Sequence, residues 1–119
     1  MAALSGVGDL SLGEKVGCFL PPTAIVNGSP NVFVNGKAVA TIGSQLFPHF
    51  CFRPNPHGPG EQLVSHTQRT ISAGSPTVFV NGLSAAFVGS PIIAIATPAD
   101  TPCTDMVIQG SPDVFVAWV

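Results

Sequence analysis

Short apolar runs separated by glycine and proline turns recur along the chain. Residues 28–44 read GSPNVFVNGKAVATIGS and residues 74–90 read GSPTVFVNGLSAAFVGS, and the two copies agree at 11 of 17 positions. A third, partial copy, GSPDVFV, covers residues 110–116. In each full copy the Val-Phe-Val run predicts a short strand, Asn-Gly predicts a type I′ turn, and the residues that follow predict a return strand. The repeated unit is therefore predicted to be a β-hairpin.

The third copy has no return strand after it, and the missing half resembles the start of the chain. Residues 7–9, Val-Gly-Asp, resemble residues 42–44 and 88–90, which close the two full copies. We therefore expect the two termini to meet and three units to close around a pseudo-threefold axis. Such closure would also remove exposed sheet edges.

Composition narrows the fold to one all-β domain covering residues 1–119. The chain has 13 glycines, 12 prolines and only 8 % charged residues, which excludes a coiled coil and disfavours a helical bundle. A hydrophobic fraction of 45 % is too high for disorder.

Four basic residues and a net charge of −2 argue against nucleic-acid binding. No run is long enough to span a membrane and no signal peptide is visible. The weakly charged surface suggests a protein partner.

The linkers between the units hold the residues that could bind a metal. The middle linker is the longest and contains all three histidines, His49, His57 and His66. Cys18, His66 and Cys103 each precede the next GSP turn at a comparable distance. With His49 they form a Cys₂His₂ set, which suits tetrahedral zinc. A structural zinc would also help to stabilise a domain with a small core.

Other interpretations of these residues remain open. His57, in a proline-rich loop, is typical of a solvated histidine, and Cys51 of a small buried hydrophobic residue. Cys18 and Cys51 could form a disulfide, although the odd cysteine count and the lack of an export signal make this less favourable. A small zinc-dependent hydrolase would need a general base. Glu61 is the only carboxylate in the middle linker, and no paired-carboxylate pattern is present. We therefore expect a protein that is not an enzyme.

These motifs together resemble the PAAR-repeat family. The resemblance is carried by GVGD (6–9), GCFLPP (17–22), GSPNVFVNGKAVA (28–40), PHFC (48–51), GSPTVFVNGLSAA (74–86), Cys103 and GSPDVFV (110–116). Ala-Val-Ala and Ser-Ala-Ala stand where the family has Pro-Ala-Ala-Arg. The chain therefore resembles a divergent, phage-like member.

The resemblance implies a cone with a triangular β base and a sharp apex. One copy would cap the blunt end of a homotrimeric β-helical spike, either in a contractile phage tail or, on a VgrG-like spike, in a type VI secretion system. The cone would sharpen the spike for transient contact with a target membrane, which it helps to pierce. The protein would then lie at a phage tail tip, or in the bacterial cytoplasm before delivery. Some PAAR-like proteins also carry toxins, and we expect no fused effector in this chain.

The resemblance also implies a zinc ion near the apex, held in the family by three histidines and one cysteine. His49, His66 and Cys103 match three of these ligands, whereas Val16 stands at the position of the remaining histidine. Cys18 or His57 could supply the fourth ligand, with Cys18 preferred. We further expect one side of the hairpin strands to face the spike and the other to fill the core. The spike-facing set is Val32, Val34, Val78, Val80, Val114 and Val116, and the core set is Phe33, Phe79 and Phe115.

Overall fold

The computed structural model describes residues 2–98 and 100–116, which form strands, bridges and turns and contain no helix. The all-β prediction is confirmed, and no helix in the described residues could span a membrane. The molecule is elongated, with extents of 49 × 25 × 21 Å. The strands are β1 Ala2–Ala3, β2 Glu14–Lys15, β3 Phe19–Leu20, β4 Phe33–Val34, β5 Lys37–Ala38, β6 His49–Pro54, β7 Glu61–Ile71, β8 Phe79–Val80, β9 Leu83–Ser84, β10 Ile92–Thr97 and β11 Phe115–Val116.

The longest strands form one antiparallel sheet in the order β10-β7-β6. Strand β7 has 11 residues, so it spans roughly 35 Å at the usual rise of a β-strand. The β6–β7 hairpin begins at the pair His49–His66 and continues outward to the pair Pro54–Glu61. Two of the three middle-linker histidines are therefore brought opposite each other by strand pairing.

A β-bulge in β7 changes which residues point inward. The pairing register between β7 and β10 shifts in this region, and Gln68 has a positive φ of 51°. Before the bulge Val64 and His66 are buried, and after it Arg69 and Ile71 are buried. The extra residue thus turns both His66 and Arg69 toward the interior, although their spacing of three would place them on opposite faces of a regular strand.

The repeated units form the hairpins that their sequences predict. In β4–β5 and β8–β9, both residues of the Asn-Gly turn have positive φ, as a type I′ turn requires. The side-chain amides of Asn35 and Asn81 each donate to the turn of a neighbouring unit, at Ser111 Oγ and Ser29 Oγ respectively. Strand β11 pairs with β1 near the two ends of the chain, so the expectation that the terminal segments meet is confirmed.

Three equivalent segments are linked by a closed cycle of backbone hydrogen bonds. Ser5 N donates to Ala86 O at 3.0 Å, Ala86 N to Ala40 O at 2.9 Å, and Ala40 N to Ser5 O at 2.9 Å. All three residues are completely buried. Small side chains are needed here because three backbones approach one another closely. This explains why the repeats place alanine or serine at this position.

The hairpin strands face the opposite way from the sequence expectation. Val34 and Val80 are buried beside the central segments, whereas Phe33, Phe79 and Phe115 are 61, 58 and 48 % exposed. The prediction that the phenylalanines fill the core is therefore wrong. Strand alternation separates two faces without saying which is inside. The two valines pack in a buried cluster with Leu4, Val39 and Ala85.

The other valines that were expected to face the spike differ from one another in burial. Val32 and Val114 are exposed, whereas Val78 packs against the buried cluster of Val34 and Val80. The side chain of Val116 lies outside the described residues. A second buried cluster, under the three-stranded sheet, contains Ile25, Ala40, Leu46, Ile71, Ala86, Ile92 and Val107.

Candidate metal centre

Buried polar side chains converge where β2, β6 and β7 meet the 101–106 segment. Two overlapping groups could hold a metal ion: Glu14 with His66 and Cys103, and Glu14 with His49 and Asp105. Within each group, one ligand atom from each residue lies within 4.8 Å of the others. Glu14 belongs to both groups and therefore stands at the centre of the cluster.

His66 presents one ring nitrogen to the cluster. The ring is fully buried, with Nε2 2.6 Å from the carbonyl oxygen of Thr101 and Nδ1 2.8 Å from Glu14 Oε1. Because a carbonyl only accepts hydrogen bonds, Nε2 carries a proton and Nδ1 faces the carboxylate. A backbone carbonyl on the far nitrogen is the arrangement that orients ligand histidines in metal sites. Nδ1 is therefore the atom that His66 could offer to a metal.

One of the two ring nitrogens of His49 has no hydrogen-bond partner among the described residues. Its Nδ1 lies 2.8 Å from the carbonyl oxygen of Pro21, so Nδ1 donates. Its Nε2 is buried without a hydrogen-bond partner among the described residues, 3.6 Å from Glu14 Oε1. Burial lowers the pKa of His49, which favours the neutral ring with a lone pair on Nε2. A buried, unpartnered lone pair directed at a carboxylate fits a metal ligand.

Glu14 is held in place as an ionised carboxylate. Its Oε2 accepts hydrogen bonds from Thr104 N at 2.7 Å and Thr104 Oγ1 at 3.0 Å, which leaves Oε1 facing the two histidines. Burial acts to raise the pKa of Glu14, but the Thr104 hydrogen bonds and the nearby His66 lower it overall. Sequence reasoning missed Glu14. It lies two residues before Val16, in the two-residue strand β2.

Cys103 is a protonated thiol in the metal-free protein. Its Sγ donates to the carbonyl oxygen of Ile92 at 3.2 Å. Burial raises the pKa of the thiol to about 11. Metals bind the thiolate, so binding at this residue must displace a proton.

The structure corrects the predicted role of Cys18. Its sulfur is bonded to Cys51, 33 residues further along the chain. A disulfide sulfur has no thiolate to donate, so Cys18 is not a metal ligand in this structure. The disulfide had been the less favoured alternative because of the odd cysteine count. Cys103 is in fact the free cysteine, and the pairing depends on the packing of β3 beside β6.

His57 and Val16 are not part of the cluster. His57 is exposed in the turn that joins β6 to β7, and its backbone N–H donates to Asn55 Oδ1. His57 is therefore a solvated loop histidine, as the alternative interpretation of the sequence predicts. Val16 lies in the turn after β2, where its backbone N–H donates to the carbonyl oxygen of Cys18.

Asp105 belongs to a neighbouring ion pair. Its Oδ2 accepts from Arg69 Nη2 at 2.5 Å, and its Oδ1 accepts from Gly13 N at 3.0 Å and Met106 N at 2.8 Å. Both oxygens are therefore engaged by the protein. Glu14, His49, His66 and Cys103 are the other members of the two groups, which share only Glu14.

No family model matches the chain, and no curated protein matches its sequence.

Proposed function

We propose that this chain is a PAAR-like tip protein that caps a homotrimeric β-helical spike of a contractile injection machine. One observation carries the proposal. Phe33, Phe79 and Phe115 occupy equivalent repeat positions, and all three side chains are exposed. Their hairpins belong to units whose central segments are joined in a closed cycle of hydrogen bonds. Three equivalent apolar side chains suit a partner that presents three identical chains.

The energetic case for a partner rests on those three rings. Fully burying a phenylalanine side chain contributes roughly 1.5–3 kcal/mol. With 8 % charged residues, the chain has few charges to keep such a surface separate from other proteins. Covering the three rings with the blunt end of a spike would gain several kcal/mol. The phenylalanines, rather than the valines, are thus the proposed docking residues.

In the proposed arrangement the three hairpins form the base of a pseudo-threefold cone. The three-stranded sheet would rise from this base. The cluster lies at the root of the β6–β7 hairpin, which continues beyond it. The distal part of that hairpin would be the region that meets the target membrane.

We propose that zinc is held by His49, His66, Cys103 and Glu14. Two nitrogens, one sulfur and one carboxylate oxygen are ordinary zinc ligands, and four protein ligands are typical of a structural site. Glu14 would supply the fourth ligand, which in the PAAR-repeat family is a histidine at the position of Val16. The ion would tie β2, β6, β7 and the 101–106 segment together. Zinc would here supply stability rather than catalysis.

The hydrolase alternative has less support. Glu61, the base that it would need, is exposed at the far end of the β6–β7 hairpin from the His49–His66 pair. Glu14, the carboxylate next to the histidines, is proposed here as a zinc ligand, so it would not be free to act as the general base. Hydrolysis of an ester or phosphoester by the zinc-loaded protein, lost in His66→Ala, would favour the alternative.

The docking proposal is tested with charged substitutions on the base. Phe79→Asp and Phe33→Asp should each abolish co-purification with the trimeric spike of the same genome, which wild type should bind at one copy per trimer. Phe52→Asp is the matched control, because Phe52 is 62 % exposed but lies on the three-stranded sheet. Unchanged binding by Phe79→Asp, or equal loss in Phe52→Asp, would contradict the proposal.

The metal proposal is tested by elemental analysis of protein purified without chelator. We expect one zinc per chain in wild type and in His57→Ala, which alters an exposed histidine outside the cluster. His66→Ala and Glu14→Ala should lose the metal. A metal-free wild type, or full zinc content in Glu14→Ala, would refute the proposed ligand set.

A further inference from the structure

The disulfide joins two elements that carry proposed metal ligands. Cys18 lies in the turn of the β2–β3 hairpin, and β2 carries Glu14. Cys51 lies in β6, two residues after His49, so its side chain and that of His49 share one face of the strand. The bond between the two cysteines therefore fixes the element that carries Glu14 to the element that carries His49.

Another interaction also joins this hairpin region to β6: Nδ1 of His49 donates to the carbonyl oxygen of Pro21, just after β3, at 2.8 Å. The hairpin itself has two residue pairs, Glu14–Leu20 and Lys15–Phe19. The hydrogen bond from Arg53 Nη1 to Val16 O is long, at 3.5 Å. Gly17, at a φ of +91°, lets the turn approach Arg53 closely, since a Cβ there would lie 3.1 Å from Arg53 Cδ. The disulfide is thus the covalent link between this turn and β6.

Both cysteines are accessible to redox reagents. Cys18 and Cys51 are half-buried, and exposed residues flank each of them in the sequence, including Gly17 and Phe52. Thiol–disulfide exchange requires that an attacking thiolate reach one sulfur of the pair. Half-burial permits this for a small thiol such as glutathione.

We propose that Cys18 and Cys51 form a redox clasp on the metal centre, an inference that rests on the proposed zinc site. In the reduced protein the two thiols react with one glutathione disulfide. A Cys18–Cys51 bond forms, the glutathione disulfide bond breaks, and two glutathione thiols leave with the two hydrogens. The closed clasp holds Glu14 against His49 and retains the zinc. The open clasp lets the β2–β3 hairpin move, and the zinc leaves faster.

The clasp is tested by the rate of zinc transfer to a chromogenic chelator. Groups that position metal ligands commonly change metal affinity by about 10–100-fold, so reduction with a phosphine should speed release about tenfold or more. Cys18→Ser/Cys51→Ser should release zinc as fast as the reduced wild type and should not respond to the phosphine. Equal rates for oxidised and reduced wild type would overturn the clasp. So would slower release from reduced wild type than from the double variant, since the thiols would then be acting as ligands.

A second measurement uses only the wild-type protein. Linkage requires that, if the disulfide tightens zinc binding, zinc stabilises the disulfide by the same factor. In glutathione buffers the zinc-loaded protein should therefore be harder to reduce, by about tenfold in the equilibrium constant. An equilibrium constant that is insensitive to zinc would refute the clasp alone. Oxidised protein that binds no zinc would overturn the metal centre, and the clasp with it.

Discussion

Replacing Arg69 by methionine tests the buried ion pair beside the metal cluster. The guanidinium is completely buried and donates to Asp105, to Ser11 Oγ at 3.1 Å and to the carbonyl oxygen of Phe47 at 2.9 Å. It also donates to the hydroxyl of Thr23. Methionine has a similar length but no charge and no donor. The substitution therefore leaves Asp105 as a buried carboxylate without its cation.

The expected cost follows from that uncompensated charge. Breaking a buried ion pair by removing one partner typically costs about 3–5 kcal/mol of unfolding free energy. Domains are usually stable by only about 5–15 kcal/mol, so Arg69→Met should come close to unfolding the protein. With the average unfolding entropy per residue, this loss corresponds to a decrease in Tm of about 12–20 °C for a chain of this size.

A second substitution separates the charge effect from lost packing. In Arg69→Met/Asp105→Asn the buried charge is removed, while the asparagine oxygen can still accept from Gly13 N and Met106 N. We expect the double variant to recover about 1–3 kcal/mol relative to Arg69→Met, as expected for relieving an unsatisfied buried group.

Urea and thermal unfolding, followed by circular dichroism, measure both variants against wild type. Zinc content is measured in parallel and should remain unchanged, because neither residue is a proposed ligand. Exposed ion pairs contribute up to about 1 kcal/mol. If Arg69→Met lowers the free energy of unfolding by less than this, the Arg69–Asp105 pair does not behave as a buried ion pair. A double variant less stable than Arg69→Met would show that the aspartate charge is not the source of the cost.

Three further predictions concern the crosslink, the cluster and the hairpin turns. Cys18→Ser/Cys51→Ser removes a bond across 33 residues and should lose about 3–4 kcal/mol in urea unfolding; a loss near zero would contradict this. Burial lowers the pKa of His49 below its ordinary 6.5. In the metal-free protein, the contribution of this histidine to the free energy of unfolding should therefore be complete above pH 6.5 and should be lost as the pH falls. A pH series of urea unfolding measures this, and His49→Leu should reduce the slope. Asn35→Gly and Asn81→Gly keep the positive φ but lose the inter-unit hydrogen bonds, and should each cost about 1 kcal/mol. The matching alanine variants should cost roughly 1 kcal/mol more, because alanine adopts a positive φ less readily than glycine. Equal Tm values for the glycine and alanine variants would contradict this explanation.

The sequence alone determined the features that depend on local chemistry. Asn35-Gly36 and Asn81-Gly82 set their turns because glycine and asparagine tolerate positive φ, and the repeated Val-Phe-Val runs set the strands beside them. The split repeat at the two ends predicted the pairing of β1 with β11. The similar distances of His66 and Cys103 from the next GSP turn predict both as candidate ligands, and both lie in the buried cluster.

Tertiary structure decided whatever depends on distant segments meeting. Glu14 reaches His66 across 52 positions of sequence, and the Arg69–Asp105 pair joins two different linkers. The bulge at Gln68, which turns both His66 and Arg69 inward, has no marker in the local pattern. Alternation likewise could not tell which face of the hairpin strands lies inside. A strand pattern specifies two faces, whereas the space left by the neighbouring backbones determines which side chains are buried.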